Sequence, residues 1–393
     1  MTEMIASSPP HAAKPDPTPA GLAELMASSP RQAPLTAGLL IINLTVFVLM
    51  LVFGAGLWHT SSSVPLAWGA NFGPATQDGQ WWRLLTAMFV HFGFVHLTLN
   101  MWALWDIGRL VERLYGRLRF SVLYLTSGVL GNLLSLVVQG NQAVSGGASG
   151  AIFSLYGALL VFLWRERQQV ERGEFKWLFG GAVVFTLATL GMGQLVPGID
   201  NAAHLGGLAA GACLGSLLAR RWVPASPSSL RGRWLAAILL ATGITVLITR
   251  IPPPVYLLGD ELRAREAIRQ FLTQDLRISQ SWGSILTKGQ GAGTSFEELA
   301  GSIDANVTAE YLHSFDQLTA ASPGAAAPSA KTLEALQTYA SLRADASREL
   351  ADGLRTQDQA KIRQALEKAK KAQTTRLRPT APASTASKPR SAP

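Results

Sequence analysis

The chain has almost no cysteine. Cys213 is the single one among 393 residues, which excludes a fold held by disulfide bonds and a zinc site built from cysteines. Charged residues are scarce as well, at 15% of the chain, against roughly 25% in soluble proteins. The mean hydropathy is positive, and 48% of the residues are hydrophobic, which excludes a collagen-like or wholly disordered chain. These values indicate a membrane protein.

The excess of basic side chains lies where the chain is most apolar. Residues 1–34 carry 2 basic and 3 acidic side chains, residues 35–250 carry 14 and 7, and residues 251–393 carry 18 and 15. Basic residues between apolar segments typically determine how a protein is oriented in the membrane, rather than bind phosphate groups. We therefore expect the lipid bilayer as a partner, and no nucleic acid.

Seven apolar stretches have about the length of a transmembrane helix, which needs roughly 20 residues to cross the hydrocarbon. They lie at residues 35–57, 94–110, 120–138, 148–164, 177–196, 202–219 and 234–250. The second and the seventh are shorter or more polar than the others. The pattern predicts seven transmembrane helices.

The charges between the stretches predict their orientation. Links 111–119, 165–176 and 220–233 carry Arg or Lys, whereas links 139–147 and 197–201 carry neither. By the positive-inside rule, this alternation places the N-terminus in the cytoplasm. After an odd number of spans, the C-terminus is expected on the extracytoplasmic side.

The remaining segments differ in composition. Residues 1–34 are rich in Pro, Ser and Ala and predict a disordered cytoplasmic tail. The long loop 58–93 carries four tryptophans and is either partly interfacial or an ordinary external loop. No secretory or organelle-targeting segment is evident, so a bacterial inner membrane is the expected location of this multi-pass protein.

The C-terminal third has the composition of a soluble protein. Residues 255–378 are predicted to be partly helical and extracytoplasmic, with helices near 260–276 and 332–371 that form a small hairpin. A middle part rich in Gly, Ser and Ala separates these helices. Residues 379–393 are a low-complexity tail.

Polar side chains within apolar stretches are the candidates for chemistry, because placing them in a bilayer is costly. Ser149 begins the fourth span between Gly147 and Gly150, and small neighbours leave its hydroxyl and N–H accessible. Alone, that pattern fits helix packing as well. His204 lies one turn before Gly207, on the face that Gly207 and Gly211 suit for close packing. If that face meets the fourth span, His204 can serve as general base for Ser149.

His96 and Asn100 lie four residues apart, on one face of the second span. Both can donate hydrogen bonds to a developing oxyanion beside the N–H of Ser149, or they can fasten the span to a neighbouring helix. Zinc bound by His91, His96 and His204 is the competing interpretation. It is weakened because no HxxxH pair and no suitably placed acidic residue occurs.

Three further residues have alternative roles. Ser145 is a rival nucleophile, although it lies in a loop. Asp106 and Asp200 are each conceivable third members of a triad. Asp200 precedes His204 by one turn and is expected to cap the start of the helix, so we assign it no catalytic role.

Several motifs follow one another in a fixed order within residues 80–220. They are Trp82-Arg83, His91–Asn100, Glu112–Gly116, Gly147–Gly150 and Ala203–Gly211. In order and spacing this region resembles the rhomboid family of intramembrane serine proteases. The resemblance implies an all-α polytopic membrane protein with a six-helix core, one additional C-terminal transmembrane helix and a small, partly helical soluble tail.

The resemblance also implies roles for individual residues. Ser149 would be the nucleophile and His204 its base, in a dyad without an acid. His96, Asn100 and the N–H of Ser149 would hold the oxyanion. The residues implied to support the site are Gly147, Gly150, Phe153, Asn201, Gly207 and Gly211. Phe153 stands where the family often has a tyrosine stacked on the catalytic histidine, so stacking is possible but a hydroxyl is absent.

The expected activity is hydrolysis of peptide bonds in or near transmembrane segments of other membrane proteins, without a cofactor or a metal. The alternative is a catalytically inert rhomboid-like protein that binds membrane proteins for sorting or quality control. Inert members usually lack the dyad, which disfavours this alternative. A transporter would be expected to show repeated halves or buried carboxylates, and neither is evident. The substrates, the role of residues 255–393 and the oligomeric state stay open.

Overall fold

The computed structural model describes residues 33–219, 230–291 and 293–376. Within these ranges every regular element is a helix, as predicted. The predicted tail 379–393 and nearly all of the predicted tail 1–34 lie outside the described residues. The chain divides into two compact units, residues 1–76 with 81–252, and residues 77–80 with 253–393.

The described part of the first unit has seven long helices, and each coincides with one of the predicted apolar stretches. These helices are α1 (Pro34–Val52), α2 (Phe94–Tyr115), α3 (Arg117–Gln139), α4 (Ser149–Glu166), α5 (Arg172–Leu195), α6 (Asn201–Leu218) and α7 (Leu230–Thr249). One boundary was predicted wrongly. The first helix ends at Val52 rather than at residue 57, because the chain leaves the helical path at Gly54, whose φ is +95°.

Several of these helices have the length and the composition of membrane spans. Among the described residues, α1, α3, α5 and α7 are long and apolar enough to cross a membrane. The short helical segment Arg83–Phe89 and α2 meet at an angle of 93°. If the two together are counted as one broken span, they make a fifth. Helices α4 and α6 have only 18 residues each and include polar or charged side chains. The protein is therefore a polytopic membrane protein, while the count of seven spans stays a prediction.

The exposed surface of the long helices supports the same conclusion. On α7, the side chains of Trp234, Leu235 and Ile238 are 58–64% exposed. On α5, Val184 and Leu187 are 66% and 64% exposed. Contiguous apolar surface of this kind requires an apolar environment such as lipid.

Helix α6 lies at the centre of the first unit, close to both α3 and α4. A Cβ atom at Gly206 would lie 2.9 Å from the Cα of Gly131 in α3. A Cβ atom at Gly207 would overlap the carbonyl oxygen of Gly150 in α4. Only glycine allows backbones to approach this closely, so these residues decide where α6 lies.

The start of α1 is capped by a carboxylate from α2. Oxygens of Glu112 accept hydrogen bonds from the N–H of Leu35 at 3.0 Å and from the N–H and hydroxyl of Thr36, both at 2.8 Å. The first N–H groups of a helix have no partner within the helix, and an anion there also interacts favourably with the helix dipole. Glu112 is 2% exposed, so these hydrogen bonds are shielded from water.

The loop 58–93 is folded onto α3. Nη1 of Arg83 donates to the carbonyl oxygens of Leu66 at 2.6 Å and Ala70 at 3.1 Å, which joins two parts of the loop. The side chain of Asn132 in α3 donates to the carbonyl oxygen of Leu84 at 2.8 Å. The loop is thus fixed to a helix of the core by hydrogen bonds.

The second unit has five helices in its described residues. They are α8 (Leu258–Gly289), α9 (Phe296–Ile303), α10 (Ala309–Ala320), α11 (Ala330–Arg355) and α12 (Gln359–Arg376), and a π-helical turn joins α9 to α10. The predicted hairpin is therefore wrong in extent, because the middle part is helical too. A capping box between Ser295 and Glu298 starts α9 within that part.

A polar cluster lies in the core of the second unit. Asp275 accepts hydrogen bonds from the hydroxyls of Tyr311 at 2.8 Å and Tyr339 at 3.0 Å. The guanidinium group of Arg343 lies 4.7 Å from the ring centroid of Trp282. Burial raises the pKa of both tyrosines above the ordinary value, so both hydroxyls stay protonated and able to donate.

The start of α8, like that of α1, is capped by a residue far away in the sequence, here one of the same unit. Leu257 occupies the N-cap position and has no side-chain acceptor. Instead, Oδ2 of Asp78 accepts from the N–H of Gly259 at 2.8 Å. This hydrogen bond joins residues 77–80 to the chain from residue 253 onward, within the same compact unit.

We predict that Glu112→Ala destabilises the protein by about 1–3 kcal/mol, because two N–H groups of α1 lose their acceptor in a buried position. Thermal unfolding in detergent micelles measures the effect. The control is Glu334→Ala, which removes an exposed carboxylate from α11 and should change stability by less than about 0.5 kcal/mol. Equal melting temperatures for the two variants would contradict the role given to Glu112.

Candidate active site

The segment before α4 shapes the surroundings of Ser149. Gly147 has a φ of +132°, which side chains rarely tolerate. A Cβ atom at Gly147 would lie 2.8 Å from Nε2 of His96 and 3.8 Å from Oγ of Ser149. A glycine at this position therefore lets the His96 ring come close to the Ser149 hydroxyl.

Ser149 is the first residue of α4. As in any first turn, its N–H has no carbonyl partner within the helix. The positive end of the helix dipole also lies at this N-terminus. The start of α4 is therefore suited to an anion. Ser149 itself is half-buried, so its hydroxyl is reachable.

His204 lies in the first turn of α6, and its side chain is directed at Ser149. Its Nε2 is 2.8 Å from Oγ of Ser149. The residue is only 3% exposed. The contact follows from the packing of α6 on α4, in which Gly207 lies against Gly150 and Gly211 against Ser154.

The other nitrogen of His204 has no acidic partner. Among the described residues, no protein group forms a hydrogen bond with Nδ1. Instead, the ring of Phe153 lies parallel to the imidazole, with ring centroids 4.3 Å apart and planes 4° from parallel. Because Phe153 is fully buried in α4, its ring holds the imidazole plane in a fixed orientation.

His96 and Asn100 line the same cavity as Ser149 and His204. The cavity has a volume of about 770 Å³ and is lined by Ser149, His204, His96, Asn100 and Phe153 together with residues of the loop 58–93. The amide of Asn100 donates to the carbonyl oxygen of His96 at 2.8 Å. A cavity of this size with a few polar groups on apolar walls is typical of a ligand site.

The supporting glycines and Asn201 act through packing. Gly150, Gly207 and Gly211 lie in the α4–α6 contact. Nδ2 of Asn201 donates to the carbonyl oxygen of Leu190 at 3.0 Å. This hydrogen bond ties the start of α6 to α5.

Asp200 caps α6, as its position in the sequence predicts. Its Oδ1 accepts from the N–H of Ala203 at 2.9 Å. Three side chains also donate to this carboxylate, namely Ser135, Gln139 and Ser145. Ser135 and Gln139 were not predicted from the sequence. Their spacing of four residues on α3, which puts two polar groups on one helix face, is the signal that could have found them.

The structure places the residues of the alternative assignments, Ser145, Asp106 and His91, in other contacts. The hydroxyl of Ser145 donates to Asp200 and not to an imidazole. Asp106 lies exposed on α2. Nε2 of His91 faces the N–H of Ala148 at 3.5 Å. No group of three His, Cys, Asp or Glu side chains in the described ranges is arranged to hold a metal ion.

Comparison with known proteins identifies the region. A model of the Rhomboid domain matches residues 78–221. Rhomboid protease GluP of Bacillus subtilis is 37% identical over 170 residues, which cover 43% of this chain and 32% of GluP. The protein YdcA of Bacillus subtilis is 33% identical over 153 residues, 39% of this chain and 74% of YdcA. The chain belongs to the rhomboid family.

Rhomboid-type serine protease 2 of Emericella nidulans is a further relative, 36% identical over 168 residues, which cover 42% of this chain and 31% of the relative. The chain thus spans about a third of the length of GluP and of the Emericella protein. The rhomboid match includes α2 to α6 and all the site residues described above. Helix α7 and the second unit, apart from residues 78–80, lie outside it.

We predict that Gly207→Ala destabilises this rhomboid protein by about 1–3 kcal/mol, the usual cost of forcing extra volume into a packed contact. The new methyl group would overlap the carbonyl oxygen of Gly150 and push α6 away from α4. The matched control is Gly243→Ala in α7, where a Cβ atom meets nothing within 4 Å. The control should melt at or above the wild-type temperature, since alanine favours helix over glycine. A Gly207→Ala variant as stable as this control would contradict the close packing.

Proposed function

We propose that the protein is an intramembrane serine endopeptidase that uses Ser149 and His204 as a catalytic dyad. The observation that carries this proposal is the 2.8 Å separation of Ser149 Oγ and His204 Nε2 in a cavity among apolar helices. At that distance the imidazole can accept the hydroxyl proton as the oxygen attacks a carbonyl carbon. The names of the relatives, which include a rhomboid protease and a serine protease, point in the same direction.

The reaction has two stages. In the first, Oγ of Ser149 bonds to the carbonyl carbon, His204 takes the proton, and the protonated imidazole then gives it to the leaving amine. An acyl-enzyme results. In the second, water attacks the ester, His204 takes a proton from that water, and the proton returns to the serine oxygen as the acid is released.

The negative charge on the carbonyl oxygen needs donors in each stage. We propose the N–H of Ser149 as one donor, because it begins α4 and is free of helix hydrogen bonds. His96 supplies a second donor, since its ring lies beside Ser149 across Gly147. Asn100 supplies a third after its amide turns from the His96 carbonyl oxygen towards the cavity. Such donors are worth most in a site with little water.

The proposed substrates are other membrane proteins, cleaved in or near a transmembrane segment. The cavity lies in the polytopic core, so a peptide bond must reach it from the membrane or from its surface. The dyad requires no cofactor and no metal.

We also propose the architecture and orientation that the sequence predicts. Helices α1 to α6 form the rhomboid core and α7 is an additional span, in a bacterial inner membrane. The N-terminus is cytoplasmic and residues 255–378 are extracytoplasmic. The absence of Arg and Lys from links 139–147 and 197–201 supports this orientation.

The activity is tested by cleavage of a single-span reporter by the purified protein in liposomes. We expect Ser149→Ala and His204→Ala to abolish turnover. Asn100→Ala should retain a rate lower by about 10²–10³, because one of several oxyanion donors is lost. Ser121→Ala, which removes a hydroxyl bonded to the Arg117 carbonyl within α3, is the control with unchanged rate. Cleavage by Ser149→Ala at the wild-type rate would refute the proposal.

A serine-directed phosphonate probe separates the protease from an inert binding protein. Labelling at Ser149 that disappears in His204→Ala supports the dyad, because only an activated serine reacts. An unlabelled wild-type protein that still captures membrane proteins would favour the inert alternative.

The orientation is tested by reporters fused after Ala320, an exposed residue at the end of α10. We expect a reporter that matures only outside the cytoplasm to be active when it is fused after Ala320, because an odd number of spans follows a cytoplasmic N-terminus. The same reporter fused before Pro34 should be inactive. Activity of a cytoplasm-only reporter at Ala320 would overturn the orientation.

A further inference from the structure

The carboxylate of Asp200 accepts more hydrogen bonds than a helix cap requires. Its Oδ1 accepts from the N–H of Ala203 at 2.9 Å and from Nε2 of Gln139 at 2.8 Å. Its Oδ2 accepts from the hydroxyls of Ser135, at 2.5 Å, and Ser145. A cap needs only the first of these four hydrogen bonds. The other three come from side chains outside α6.

The four donors belong to three different parts of the core. Ser135 and Gln139 lie in the last turns of α3, and Ala203 lies in the first turn of α6. Ser145 lies in the segment that leads into α4, and its backbone pairs in both directions with Asn71 at 2.8 Å. The carboxylate thus joins the segment before α4 to the start of α6, with α3 as the support.

The Asp200–Ser145 hydrogen bond has a simple relation to the dyad. Ser145 precedes Ser149 by four residues, and Asp200 precedes His204 by four residues. The carbonyl oxygen of Asp200 also accepts from the N–H of His204 at 3.1 Å. The two chain segments are therefore joined twice, once by the Asp200–Ser145 pair and once, four residues later, by the Ser149–His204 pair.

A charge-assisted hydrogen bond is about twice as strong as a neutral one. A carboxylate with four donors therefore defines the position of its partners better than two neutral side chains could. The number of donors indicates that the carboxylate is held in one position.

We propose that Asp200 is a positioning residue for the dyad, which fixes the separation of Ser149 and His204 by holding the segment before α4 against the start of α6. This inference rests on the proposed protease function. Asp200 acts through the two dyad residues and takes no part in bond making.

The experiment compares Asp200→Ala and Ser145→Ala with Glu171→Ala in the full chain reconstituted in liposomes. Glu171 is the matched control because it also caps a helix, accepting from the N–H groups of Gly173 and Glu174 at the start of α5. The measurements are kcat and KM for the single-span reporter and the melting temperature of each variant.

We expect Asp200→Ala to lower kcat about 10- to 100-fold, since a displacement of reacting groups by about 1 Å costs up to about 100-fold. KM should stay within about twofold, because the displaced groups act in bond making while the apolar walls of the cavity stay in place. Ser145→Ala should lower kcat about 3- to 30-fold through the same displacement. Glu171→Ala should keep the wild-type kcat even if it melts earlier.

Asp200→Asn is a second variant for the case that Asp200→Ala does not fold. Asparagine is as good a helix cap as aspartate, and its amide can still reach the Ser145 hydroxyl. We expect this variant to recover part of the kcat lost in Asp200→Ala. Phosphonate labelling of Ser145→Ala should still map to Ser149, which separates loss of position from loss of a nucleophile.

Three results would overturn the inference. They are a wild-type kcat in both Asp200→Asn and Ser145→Ala, a change in KM alone, and an equal loss of kcat in Glu171→Ala. Ser149→Ala, measured in parallel, tells the two proposals apart. If Ser149→Ala is inactive while the Asp200 and Ser145 variants are fully active, only the positioning role fails. If Ser149→Ala still cleaves the reporter, the protease function itself fails.

Discussion

The close contact between α4 and α6 is the constraint on which the site depends. Both helices carry glycine at the points where their backbones approach, and side chains there would overlap carbonyl oxygens of the partner. Ser149 is the first residue of α4, and His204 lies in the first turn of α6. Ser149 and His204 therefore lie at the end of the contact, and helix packing brings Oγ of Ser149 and Nε2 of His204 to the same place, 2.8 Å apart.

The orientation of the His204 imidazole depends on further contacts besides helix packing. In a serine protease triad, an aspartate orients the imidazole. Here the parallel ring of Phe153 limits the imidazole plane, and no acid bonds Nδ1 among the described residues. Among the described residues that line the cavity, Asp200 is the one carboxylate, and it accepts hydrogen bonds from other donors. The orientation of His204 thus comes from ring stacking and from its hydrogen bond with Ser149.

Much of the helical fold could be predicted from the sequence, because the bilayer requires long apolar runs and those runs are visible in the composition. That His204 faces a neighbouring helix was also predictable, since Gly207 and Gly211 mark the face of α6 that meets a neighbour. These are local patterns, in which residues three to four positions apart carry the information. The choice of Ser149 as the partner of His204 came from the resemblance to the rhomboid family.

The features that were not predicted depend on residues far apart in the chain or on local backbone geometry. The donors to Asp200 from α3 are 61 and 65 positions away, and although their own spacing marks a polar face of α3, no sequence pattern connects that face to Asp200. The middle of the C-terminal region was misjudged because Gly, Ser and Ala suggest a loop, whereas the capping box at Ser295 and tertiary packing produce helices there. The end of α1 at Val52 depends on a backbone turn at Gly54 rather than on hydropathy.

The cap that Glu112 provides for α1 has a consequence for biosynthesis. Thr36 and Glu112 are 76 positions apart, and a ribosome makes the first long before the second. During that interval the leading amides of α1 lack the acceptor that they have in the folded protein. The cap is complete only once α2 has been made and its carboxylate lies against α1. The start of α1 therefore depends on a residue that is synthesised later.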